Sequence, residues 1–132
     1  MINRINKSIS DTISKNEVPL ASFLTVGYPN IKLFPDILDG VIEGGSDIIE
    51  LGIPFSDPLA EGPTIQKTSN QALNNGMNLE KVLSIAEQTR KSYPNIPIVL
   101  MGYINPFLKF DILFSLLYAS ISSFFTDSKA GL

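Results

Sequence analysis

The chain contains no cysteine. Disulfides, a thiol nucleophile and a thiolate metal site are therefore excluded. Histidine is absent as well, which removes the commonest general base and the commonest metal ligand. Acid–base chemistry in such a chain falls to Asp, Glu, Lys or Tyr. A basic cluster is also missing: Lys and Arg number 10 against 13 Asp and Glu, for a net charge of −3. A mildly acidic chain of this kind is a poor nucleic-acid binder. No P-loop, GxGxxG or metal-ligand cluster occurs. The N-terminal stretch MINRINKSISDTISKN lacks the apolar core and cleavage site of a signal peptide, so a cytoplasmic protein is expected. The longest uncharged run, residues 112–126, is shorter than the ~20 residues that span a bilayer, and no membrane span is expected.

What is present fits one globular domain. The 132 residues are 44% apolar, enough for a real core. Ile2, Ile5, Ile9 and Ile13 recur at helical spacing and predict an amphipathic first helix. Residues 20–26 (LASFLTV) read as a strand, broken by the turn signature Gly27-Tyr28-Pro29-Asn30. Residues 31–43 carry Phe34, Ile37, Leu38, Val41 and Ile42 at helical spacing, and Gly44-Gly45 stops that helix. Residues 48–53 (IIELGI) form a short apolar run suited to a strand buried on both faces. A turn-rich loop follows over 54–63, then a helix over 64–75 closed by Gly76. Asn78 is placed to cap a further helix running to about residue 92. Residues 96–101 (IPIVLM) make a third buried strand, with its loop over 102–106. Strands alternating with helices imply an α/β fold with parallel β and crossover helices. Residues 111–132 depart from this pattern. Within them, residues 111–123 (DILFSLLYASISS) carry apolar residues on every side, with little periodicity.

Glu50 is the sharpest chemical signal, because it interrupts a strand that should otherwise be dry. A buried carboxylate is costly unless paired, hydrogen-bonded or protonated. Desolvation would raise its pKa toward the range useful to a general acid or base. In parallel βα folds, functional residues gather at the carboxyl ends of strands, where Glu50 falls. The plain alternative is a Glu paired with Lys or turned to solvent on an edge strand. The following loop adds Asp57 and Glu61, each of which also suits simple turn chemistry. Phe23 and Met101 lie on strands and are most simply core, whereas Tyr103, after Gly102, is placed to line a pocket.

Three segments together resemble the tryptophan synthase alpha subunit family: residues 23–29 (FLTVGYP), 47–66 (DIIELGIPFSDPLAEGPTIQ) and 97–106 (PIVLMGYINP). The middle motif is long and nearly contiguous, and the resemblance covers about residues 1–110. It implies a (βα)8 TIM barrel. It also implies a retro-aldol cleavage of indole-3-glycerol phosphate to indole and glyceraldehyde 3-phosphate, in tryptophan biosynthesis. Indole then passes to a beta subunit, which holds the pyridoxal phosphate; the alpha-type chain needs no cofactor of its own. On this resemblance Glu50 is the catalytic acid/base, and Glu61 falls where the family commonly has an Asp that holds the indole N–H. Phe23 and Met101 fall on apolar indole-pocket positions and Tyr103 on an aromatic neighbour. Pro54 and Asp57 belong to the loop that meets the beta subunit. Tyr28 stands where the family usually has Asp.

A (βα)8 barrel takes roughly 250 residues, whereas three strands are legible here. The expected organisation is a partial barrel over 1–110 and an atypical tail over 111–132. The family's phosphate-binding loops follow later strands. The lyase-type chain is therefore expected to be inactive alone, and a non-catalytic fragment or interaction module retaining the partner-facing loop is the alternative. An open three-stranded sheet also leaves edges and a face uncovered, so a marginal or self-associating chain is expected.

Overall fold

A computed structural model describes residues 3–105. The chain divides into two units, Met1–Gly102 and Tyr103–Leu132. The expectations for residues 106–132, the tail included, lie outside the described residues.

The first unit is built from α1 (Arg4–Ser14), β1 (Ala21–Thr25), α2 (Phe34–Glu43), β2 (Ile48–Gly52), α3 (Pro63–Asn74), α4 (Leu79–Ser92) and β3 (Ile98–Met101). The strands form one parallel sheet in the order β1-β2-β3. Each strand is a short β-branched or apolar run, and each crossover holds a helix, as parallel pairing requires.

Local chemistry sets the helix ends. The Asn3 and Asn78 side chains accept from the third backbone N–H of α1 and α4, at 2.8 and 2.9 Å. Pro opens α2 and α3, where its missing N–H costs nothing. Gly44 caps α2, and Gly45 at φ +101° turns the chain toward β2. Arg90, near the end of α4, donates from Nη1 to the carbonyls of Tyr93, Pro94 and Ile96 at 3.2, 2.8 and 2.7 Å. That side chain folds the turn that leads into β3.

The core gathers Ile49, Leu51 and Ile98 from one face of the sheet with Phe34 and Leu38 of α2 and Val82 and Ala86 of α4, all buried. α1 behaves differently from its sequence pattern. Ile13 is 58% exposed, whereas Thr12 is the buried residue of the helix. The cause is a polar latch. Thr12 Oγ1 donates to Asp47 Oδ1 at 2.6 Å, the Leu20 N–H donates to Asp47 Oδ2 at 2.8 Å, and Ser8 Oγ donates to the Asp47 carbonyl at 2.9 Å. α1 is thereby held through hydroxyls beside Ile5 and Ile9, which are half-buried on the same face.

Candidate functional site

The parallel register puts Phe23, Glu50 and Val99 in one row, and Thr25, Gly52 and Met101 in the next. Side chains alternate along a strand, so these two rows share the sheet face opposite the Ile49–Leu51 core. Glu50, in the central strand, has a strand on each side. It is half-buried, not dry as the apolar run around it suggested. The reason is visible in its row: Phe23 and Val99 beside it are also only half-buried among the described residues.

Gly52 explains how Phe23 is placed. A Cβ on Gly52 would collide with the Phe23 ring, standing 2.7 Å from Cε2. The ring therefore crosses β2 above Gly52, on the carboxyl side of Glu50. Met101 shares the Gly52 row but is 41% exposed, so it is not a core residue. It ends β3, beyond the reach of the helices that cover the other face. An aromatic ring, a thioether side chain and a carboxylate thus share one face near the strand ends. Tyr103 opens the second unit and is half-buried there.

The loop after β2 starts buried, at Ile53 and Pro54, and then rises to the surface. Pro54 is therefore at the root of the loop and does not present itself as a contact residue. Asp57 is exposed, and Leu59 is 82% exposed. Two tight turns shape the rise, with the Leu59 N–H donating to Asp57 O at 2.9 Å and the Glu61 N–H to Pro58 O at 3.0 Å. The Glu61 carbonyl accepts from Gln66 Nε2 at 2.8 Å. Glu61 itself is half-buried.

The loop after β1 is also fixed in detail. Gly27 has φ +88°, a left-handed conformation that favours glycine, and it packs against the Met77 side chain. The Tyr28–Pro29 peptide bond is cis. Gln71 and Asn75 of α3 donate to the Pro29 carbonyl at 3.0 and 2.8 Å. Thr25 and Thr68 share a hydroxyl–hydroxyl bond of 2.7 Å. Thr25, Thr68, Gln71 and Asn75 did not stand out in the sequence, whereas Gly27, Tyr28 and Pro29 did as a turn signature. The available signal was Thr25 itself, a hydroxyl near the end of an apolar strand. Asp47 was likewise missed. Its carboxyl is held below the ordinary carboxylate range by the Thr12 hydroxyl first, then by the Leu20 N–H, with Lys15 adding to them. Among the described residues, no group of three or more Asp and Glu is placed to hold a metal ion, and no helix is long and apolar enough to cross a membrane.

Parallel strands joined by crossover helices define an arc of a βα-barrel. The chain belongs to the tryptophan synthase alpha chain family, whose sequence profile matches residues 9–121. A tryptophan synthase of Saccharomyces cerevisiae is 44% identical over 110 residues, which are 83% of this chain and 16% of that protein. The Aquifex aeolicus tryptophan synthase alpha chain is 43% identical over 108 residues, 82% of this chain and 41% of its own length. The crystal structure of the Legionella pneumophila alpha subunit superposes with a TM-score of 0.81 at 35% identity, covering 91% of this chain and 46% of that one. The three strands and their helices are thus part of a TIM barrel, and the chain spans about two fifths of the Aquifex relative.

Proposed function

We propose that this chain carries the acid–base part of a tryptophan synthase alpha-type lyase, which splits indole-3-glycerol phosphate into indole and glyceraldehyde 3-phosphate. The observation that carries the reading is the row Phe23–Glu50, with the ring laid across Gly52 beside a half-buried carboxylate. The bond between the indole ring and the glycerol chain breaks. The ring carbon that loses the bond gains a proton, and the neighbouring hydroxyl loses one as it becomes the aldehyde. Glu50 serves these transfers. Glu61 holds the indole N–H, and Phe23 and Met101 pack the ring. No cofactor belongs to this chain; pyridoxal phosphate belongs to the beta subunit. Exposure of Asp57 and Leu59 supports this loop as the beta-subunit contact. The proposed location is the cytoplasm.

The test uses indole as its own reporter, since the chain contains no Trp. Indole release from indole-3-glycerol phosphate is measured for the parent and for Glu50→Gln. Release by the parent and its loss in the variant supports the lyase. Absence of release from both supports the non-catalytic reading, and equal release from both overturns the role given to Glu50. A separate titration of indole fluorescence checks the pocket, with Phe23→Ala expected to weaken binding about tenfold through lost ring contact.

A further inference from the structure

Glu50 and Glu61 are held in different ways. Glu50 belongs to the middle strand of the sheet. Glu61 lies on a loop, and the Gln66 amide ties its carbonyl to the first turns of α3. Where Glu61 stands therefore depends on where α3 stands.

The fully buried residues of α3 are Ser69 and Ala72, with Ile65 and Leu73 half-buried, whereas α4 buries Leu79, Val82 and Ala86. Hydrophobic stabilisation scales with apolar area removed from water, so α3 has a smaller apolar anchor than α4. Polar bonds add to it. Thr68 Oγ1 lies 3.0 Å from the Ile65 carbonyl and shares a 2.7 Å hydroxyl–hydroxyl bond with Thr25. Gln71 and Asn75 then converge on one carbonyl, that of Pro29. Thr68, Gln71 and Asn75 fall three and four residues apart, on one face of the helix. That face binds the end of β1 and the loop beyond it, while Gln66 binds the loop beyond β2.

We infer that α3 is a positioning element, in which Thr68, Gln71 and Asn75 fix the helix to β1 and so set where Glu61 stands relative to Phe23 and Glu50. The inference rests on the acid–base reading of the two glutamates. The three residues touch no reacting atom; they are positioning residues.

Amide hydrogen exchange on the 132-residue chain tests this without any catalysis. In Thr68→Val, and in the pair Gln71→Leu with Asn75→Leu, the Glu61 N–H should exchange about tenfold faster, by local opening. The Ile49 and Leu51 amides of β2 should keep the parent rate, and Thr68→Ser should restore the parent rate at Glu61. Asn75→Asp, which swaps donor for acceptor at constant size, replaces the larger substitutions where they do not fold. An unchanged Glu61 rate overturns the inference. So does a rise shared equally by β2, which marks general loosening. Faster exchange at Glu61 alone, in a chain whose indole release ignores Glu50→Gln, sustains the positioning and removes the lyase reading instead.

Discussion

Gly52 is a residue whose smallness matters to a neighbour. A methyl group there would occupy the volume of the Phe23 ring. Gly52→Ala should therefore destabilise by about 1–3 kcal/mol through overpacking, measured by urea unfolding. The two positions should couple: Phe23→Leu with Gly52→Ala should cost less than the sum of the single changes. Asp47 gives the pH-dependent case. Its carboxyl is held below its ordinary 3.8 by the Thr12 hydroxyl and the Leu20 N–H. A lowered folded pKa contributes stability that is full above about pH 4 and fades as pH falls through the folded value. Asp47→Asn should thus cost about 1 kcal/mol at neutral pH, and unfolding curves of parent and variant should draw together as the pH drops below 3.8. A gap that persists at low pH would remove the latch as its cause.

Among the elements, α4 offers two clean tests. Asn78→Ala should lose about 1 kcal/mol as the N-cap goes, seen as a lower Tm. Arg90→Met keeps much of the aliphatic bulk but takes the guanidinium donor from the Tyr93 and Ile96 carbonyls, while the Pro94 carbonyl keeps the Arg4 Nε–H at 3.1 Å. It should cost about 2 kcal/mol, and the loss should appear first as faster exchange around Tyr93–Ile96 if the turn is what Arg90 holds. These elements were legible in the sequence to within a few residues, because β-branched runs, Gly stops and an Asn cap are local signals. β3 begins at Ile98 rather than residue 96, and α2 at Phe34 rather than residue 31, since Pro97 and the turn at 31–33 delay each start. α1 was legible as a helix but not in its docking, because the partner of Thr12 is 35 residues away. The same limit hid the α3 clasp: the partner of Gln71 and Asn75, the Pro29 carbonyl, lies 42 and 46 residues away. Glu50 and Glu61 were found because one breaks an apolar strand and both lie in a long motif; the exposure of their surroundings depends on what covers the sheet face, which no local pattern encodes.

For the whole molecule, the sheet has one face under helices and one face bearing Phe23, Val99 and Met101 that is half-buried to exposed among the described residues. Exposed apolar surface of this kind favours association. A polypeptide of these 132 residues should bind a hydrophobic dye and elute from a sizing column above its monomer mass; a dye-silent monomer with a cooperative melt would count against this. The parallel register also has a consequence for engineering. Asp47 lies just before β2 and Glu50 is its third residue, so latch and carboxylate are separated by roughly 10 Å of strand. Acid tolerance and proton transfer are thereby assigned to different points of one segment, the first at the entry to the strand and the second at its middle. A variant library confined to Ser8, Thr12 and Asp47 can move the first without selecting on the second.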